Sequence, residues 1–322
     1  MRPAWVDFGM PLSARALASP DPAEAAYLDA LETYAESVAV DVASRTATVD
    51  GDRVHYLEAG DGPPLVCLHG ISTSAATWLP LFEALAEEFR VVAPDRPGRG
   101  LSTSKDYADV DFREYGVSYV TGLMDALDVA SARLLGNSLG GMQALHCQVD
   151  FPERVDRNCL VGAPGGLSRR VPWAFRLSYA PKVGPWLFRR NVADTVAEAR
   201  EGWRTVNLVD DGALPDALLE VELAGKRIPG QTESLTSLNY HAGTLRGGMH
   251  ERFVVREELR DSDVPTRFVW GTEDFFWPPS VGRPVADAMP DGEMVVLDDH
   301  GHTPWLEPTT KARDAVREFL VD

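Results

Sequence analysis

The pentapeptide Gly136-Asn137-Ser138-Leu139-Gly140 follows the short apolar run Ala132–Leu135 and opens an apolar-periodic stretch. A G-x-S-x-G segment between a strand and a helix forms a sharp turn that lifts a serine hydroxyl clear of a sheet, where it can act as a nucleophile. Its glycines leave room at the bend that a Cβ would fill. Serine is a weak nucleophile alone. The reading therefore requires a base, a carboxylate to orient that base, and hydrogen-bond donors for a developing oxyanion.

Candidates for each stand after other apolar runs. His69-Gly70-Ile71-Ser72 follows Leu65–Leu68 and predicts the backbone N–H of Ile71, paired with that of Leu139, as the oxyanion donors; His69 itself reads as a brace for the loop. Trp270-Gly271-Thr272-Glu273-Asp274 carries two acids, of which Asp274 is preferred to Glu273 as the orienting carboxylate. The preceding strand end, Gly162-Ala163-Pro164, offers no competing acid. Asp299-His300-Gly301-His302 supplies two histidines on a loop that can reach Ser138 and Asp274. A zinc site from His300 and His302 with Asp298 or Asp299 is the competing use, but nothing else resembles a metalloprotease helix. Asp95–Ser102 is rich in turn residues yet lacks the Lys-Ser/Thr ending of a phosphate loop and the spacing of a dinucleotide loop, so it is expected to brace its neighbours.

Positioning these loops calls for short apolar strands alternating with amphipathic helices, the rhythm of an α/β fold with a mostly parallel sheet covered on both faces. Strands are predicted at 64–68, 89–94, 132–136, 157–162, 266–270 and 293–297, after a hairpin of 46–49 and 53–57 joined by Asp50-Gly51-Asp52. Asp21-Pro22 predicts a helix start, preceded by an extended arm over 1–20, and this leader is expected to pack on the main domain. The alternation breaks once, over 164–263, which reads as an inserted helical cap between core segments 45–163 and 264–322, with 1–44 as an N-terminal arm and helix. Its aromatics, Trp173, Phe175, Tyr179, Trp186, Phe188, Trp203, Tyr240 and Phe253, are expected to pack the cap's own core more than to touch substrate.

Composition narrows the classes of function. The 322 residues are 44% hydrophobic and hold no apolar run long enough to span a bilayer, which predicts a soluble, cytoplasmic protein. Cys67, Cys147 and Cys159 are widely spaced and predict free, buried thiols. A net charge of −18, from 49 acidic and 31 basic residues, opposes binding to nucleic acid or anionic lipid and suits high salt, where self-repulsion is screened.

With Gly136–Gly141, His69-Gly70, Asp95–Ser102, Gly271–Asp274 and Gly301-His302-Thr303-Pro304 with Glu307 in place, residues 45–320 resemble the α/β-hydrolase superfamily, in its capped serine-nucleophile branch. That resemblance implies a sheet of about eight strands, His302 rather than His300 as the base, a triad of Ser138, Asp274 and His302, and no cofactor. Ser138 departs from the aspartate nucleophile of haloalkane dehalogenases and epoxide hydrolases. Gly136–Gly141 and Gly162–Leu167 are also similar to the meta-cleavage-product hydrolases, which carry Trp after the catalytic histidine where this chain has Thr303. The expected function is hydrolysis of a small, largely apolar carboxylic ester through an acyl-enzyme. Carbon–carbon hydrolysis of an enol-diketone is the alternative, and a low-turnover ligand-binding protein the alternative of another class.

Overall fold

The computed structural model describes residues 21–180, 183–190 and 193–321, the last four residues of the middle segment as backbone only. The arm over 1–20 and the Phe188 side chain lie outside the described residues. The chain forms helix α1 (Pro22–Ala35), a hairpin of β1 (Ala43–Val49) and β2 (Asp52–Ala59), β3 (Pro64–Leu68), α2 (Leu79–Leu85), β4 (Arg90–Pro94), α3 (Phe112–Ala126), β5 (Ala132–Gly136), α4 (Ser138–Asp150) and β6 (Val155–Val161). An insertion follows with helices α5 (Trp173–Arg176), α6 (Val183–Arg190), α7 (Val196–Val206), α8 (Asp216–Arg227) and α9 (Gln231–Ala242), then a small hairpin of β7 (Gly243–Thr244) and β8 (Gly248–Met249). The sheet resumes with β9 (Thr266–Gly271), α10 (Arg283–Ala286) and β10 (Gly292–Leu297), and the last helix is α11 (Lys311–Val321).

The strands assemble into one eight-stranded sheet in the order β1-β2-β4-β3-β5-β6-β9-β10. Only β2 runs against its neighbours, β1 and β4. From β4 to β10 every pairing is parallel. Parallel pairing puts the carboxyl ends of β3, β5, β6, β9 and β10 along one edge, the edge at which open α/β sheets bind ligands. The loops bearing Ile71, Ser138, Asp274 and His302 emerge there.

Alternation along the strands divides the core into two. Leu65, Cys67, Leu135, Cys159, Val161 and Val269 face a cluster shared with Phe82 of α2 and Phe319 of α11. Val66, Leu68, Leu134, Leu160, Phe268 and Trp270 face the opposite cluster, with Val120 of α3 and Leu145 of α4. Continuous apolar strands such as Pro64–Leu68 are the consequence of covering both faces. The three cysteines are free and buried within these layers.

Helix α1 starts as its cap predicts, with Asp21 Oδ1 accepting from the Ala23 N–H at 2.7 Å. Its packing goes beyond the expected contact with the main domain. Tyr27, Leu28, Leu31 and Tyr34 are buried in the same cluster as Leu218, Leu219 and Leu223 of α8, so the leader braces the insertion as well as the main sheet. Space for a Cβ at Gly225 on α8 is bounded by the Tyr27 ring at 3.2 Å, which shows how closely the two helices approach. Periodicity revealed the apolar stripe of α1 but not its partner.

Candidate active site

Ser138 sits at the tip of the turn between β5 and α4 with φ of +53°, a left-handed conformation that costs a non-glycine residue energy and clusters at functional positions. The turn fits against the sheet because Gly140 lacks a side chain: a Cβ there would lie 2.0 Å from the Leu68 carbonyl oxygen. The first N–H groups of α4, Leu139 among them, have no carbonyl four residues back within the helix. Asn137, unremarked in the sequence, ties three loops together by donating from Nδ2 to the Val161 carbonyl at 2.8 Å and the His302 carbonyl at 3.0 Å.

Asp274 and His302 are hydrogen-bonded, Oδ2 to Nδ1, at 2.7 Å, and both are buried. Because a carboxylate only accepts, Nδ1 carries a proton, and in the neutral imidazole the lone pair is on Nε2. Three backbone donors fix the carboxylate: Ala163 N–H to Oδ2 at 2.9 Å, and Phe276 and Trp277 N–H to Oδ1 at 2.9 and 3.4 Å. Phe276 also covers the imidazole, ring centroids 4.6 Å apart. His300 turns elsewhere, to the Asp298 carbonyl and the Thr309 hydroxyl. Glu307 holds the histidine loop by accepting from the Gly301 N–H at 2.6 Å.

Ser138 and His302 line one cavity of ≈ 280 Å³ together with Gly70, Ile71 and Asn137, and insertion residues including Trp203 and Lys226 close its other side. A second, smaller cavity of ≈ 50 Å³ adjoins Ser138 and Leu139 and is walled by Met142, Tyr179 and Phe253. Ile71, Phe175 and Phe276 line both. Two unlike lobes thus flank the hydroxyl, one mixed and one apolar. Of the insertion's aromatics, Tyr179, Trp203 and Phe253 are buried and Tyr240 half-buried, whereas Trp173 is 75% and Trp186 53% exposed, contrary to the expectation that they pack.

The loop bearing Ile71 is held from behind. The Ile71 N–H meets no acceptor among the described residues, while its carbonyl receives Arg96 Nη2 at 2.8 Å. Arg99 donates to the Thr73 carbonyl at 3.0 Å and to the Ser72 carbonyl at 2.6 Å, and the same guanidinium meets Glu222 Oε2 of α8 at 3.1 Å. Ser74 Oγ donates to the other Glu222 oxygen at 2.9 Å. Burial pushes the Glu222 carboxyl above the usual carboxylate value, and Arg99 pulls the other way. Glu222→Ala therefore leaves a guanidinium buried without its charge partner and should destabilise the fold by about 3 kcal/mol or more in urea melts. Glu222→Leu combined with Arg99→Met should recover most of that loss.

His69 fills the bracing role expected of it: Nδ1–H donates to the Gly70 carbonyl at 2.7 Å and Nε2 accepts the Arg96 N–H at 3.0 Å. Burial, reinforced by Arg96, lowers its pKa from 6.5 to about 3. Between those values the unfolded chain binds a proton that the folded chain refuses, so stability falls as pH drops through that window, by up to about 1.4 kcal/mol per pH unit. His69→Gln should flatten the decline measured in urea melts between about pH 6.5 and pH 4.5.

A second Ser-His-Asp arrangement escaped the sequence reading. Ser44 Oγ lies 2.8 Å from His55 Nε2, and His55 Nδ1 lies 2.6 Å from Asp95 Oδ2. All three side chains are wholly buried, with relative exposures of 0%. Asp95 also accepts from the N–H groups of Ala75 and Leu101. The set fastens the 95–102 loop to the sheet and borders neither cavity at Ser138. Its nearest sequence signal, Asp95 before a turn-rich run, gave no hint of partners 40 and 51 positions upstream.

Comparison with known proteins agrees with this architecture. Residues 65–315 match the model of the alpha/beta hydrolase family. The 2-hydroxy-6-oxo-6-phenylhexa-2,4-dienoate hydrolase of Burkholderia cepacia is 30% identical over 277 residues, spanning 84% of this chain and 92% of that protein. An uncharacterised protein of Mycobacterium tuberculosis is 30% identical over 298 residues, 85% of this chain and 80% of its own length. Among solved structures, the carboxylesterase CesB of Bacillus subtilis superposes with a TM-score of 0.73 at 21% identity, covering 93% of this chain and 99% of that one. The chain belongs to the α/β-hydrolase family, and it is a hydrolase. No helix among the described residues is long and apolar enough to cross a membrane.

Proposed function

We propose that the protein is a serine hydrolase that cleaves a small, largely apolar carboxylic ester through an acyl-enzyme. The observation that carries this reading is the 2.7 Å bond between Asp274 and His302 Nδ1, which in the neutral imidazole makes Nε2 the acceptor, on a ring lining the cavity that Ser138 also lines. Ser138 Oγ attacks the ester carbonyl while His302 Nε2 takes its proton, and Asp274 steadies the imidazolium. The N–H groups of Ile71 and Leu139 hold the oxyanion, each such donor worth roughly 3–4 kcal/mol in the transition state. His302 returns the proton to the departing alcohol, then activates a water that releases the acid. The insertion acts as a cap whose Phe175 and Trp203 supply apolar walls. The smaller lobe suits a short acyl or alkyl group.

One observation favours a second reading. Lys226 lines the larger cavity with Glu222, whose charge favours its ammonium form while burial and Arg99 oppose it. A cation there fits the carboxylate of a dienoate, the substrate class in the Burkholderia relative's name. Two measurements test these readings. A phosphonate ester should add one covalent mass at Ser138, and short nitrophenyl esters should turn over faster than a ring-fission dienone. Faster dienone cleavage would select the carbon–carbon reaction; an unmodified mass with neither substrate consumed would reject both and favour a ligand-binding protein.

A further inference from the structure

The net charge of −18 is unevenly spread. Between Asp156 and Asp194 the chain holds seven arginines and lysines and no carboxylate. This stretch contains the two exposed tryptophans, and part of it meets the tip of the β7–β8 hairpin: the Met249 N–H donates to the Arg169 carbonyl at 3.0 Å, and Arg176 Nη1 donates to the Arg246 carbonyl at 3.4 Å. The shared surface presents Trp173 and Leu245, 75% and 46% exposed, with Arg170 and Arg246 exposed beside them. Arg169 is paired to the exposed Glu251 at 2.8 Å. Two residues beyond Trp173 on the same helix, Phe175 turns inward to line both lobes beside Ser138.

We propose that this face docks on an anionic phospholipid surface and sets the cavity at the membrane interface. Tryptophan suits the headgroup level, where an apolar ring with a polar edge is favoured, and arginines beside it attract anionic lipid. Repulsion from the acidic remainder of the molecule is screened beyond about 8 Å at physiological ionic strength, so the charges that touch the bilayer decide. A second copy seated on the same patch would oppose arginine to arginine, which disfavours self-association through it. With the hydrolase reading, on which this step rests, the substrate becomes an ester that partitions into the bilayer.

The test is co-sedimentation with vesicles of phosphatidylcholine alone or with about one third phosphatidylglycerol, beside hydrolysis of a short, water-soluble nitrophenyl ester. The protein should pellet with the anionic vesicles only, and half-molar KCl should release it. Arg170→Glu with Arg246→Glu should weaken binding about tenfold or more, and Trp173→Ala should weaken it as well, with soluble-ester hydrolysis unchanged. Vesicle binding without ester hydrolysis would support the docking face and reject the ester-hydrolase reading. Ester hydrolysis without binding to anionic vesicles would overturn the docking face, as would equal binding by the charge-reversed variant or a dimer on size-exclusion chromatography that Trp173→Ala dissociates.

Discussion

Ser138→Ala should lower kcat for a nitrophenyl ester by about 10⁶, with KM changed little and the melting temperature nearly preserved. The side chain is half-buried and small, so its removal empties little of the core, and alanine can occupy the same left-handed backbone at similar cost. What disappears, on the proposed mechanism, is the atom that would bond to the acyl carbon. The loss also separates two uses of the same imidazole. If His302 activated water for direct attack and Ser138 merely bound substrate, the variant would retain turnover within about 10² of the parent. A single-turnover experiment on the parent should show a burst of alcohol release before steady state, and the variant should show none.

Much of the scaffold was legible because its signals are local. The strand predicted at 132–136 coincides with β5, and those predicted at 157–162 and 293–297 match β6 and β10 to within two residues at either end. Strands covered on both faces write themselves as unbroken apolar runs, and the loops that follow them carry the candidate site residues. The structure brings Ser138, His302 and the Ile71 loop to one cavity and sets Asp274 behind the imidazole.

The unread features depend on distant partners. Glu222 sits on a helix where a charged residue ordinarily faces water, but its partners Arg99 and Ser74 lie 123 and 148 positions away. Nothing near residue 222 announces that it will be buried. His55 and Ser44 are likewise ordinary strand residues until β2 meets Asp95 at the end of β4. Trp173 shows the reverse error: an aromatic in a helical segment reads as core, yet α5 is one turn long, leaves Trp173 exposed and buries none of its residues fully. Averaged charge hides its surroundings too, since −18 describes the whole chain and not the acid-free stretch.

Asp274→Asn should reduce kcat by on the order of 10⁴ while leaving the fold intact, and the hydrogen bonds around the carboxylate say why. The new amide must present an NH₂ group where one carboxylate oxygen stood. At the Oδ1 position that group would confront two fixed donors, the Phe276 and Trp277 N–H groups at 2.9 and 3.4 Å. At the Oδ2 position it would confront one fixed donor, Ala163 N–H at 2.9 Å, and the imidazole, which can respond by moving its proton from Nδ1 to Nε2. The second orientation is favoured because only the histidine can change from donor to acceptor. It leaves Nε2 protonated toward Ser138 and removes the base. The defect should therefore persist across the pH range in which the parent is active, since raising pH does not restore the tautomer. Asp274→Ala frees the imidazole from the amide and should retain more activity than Asp274→Asn at high pH. Equal rates for the two variants there would show that Asp274 acts through charge alone and not by fixing which nitrogen carries the proton.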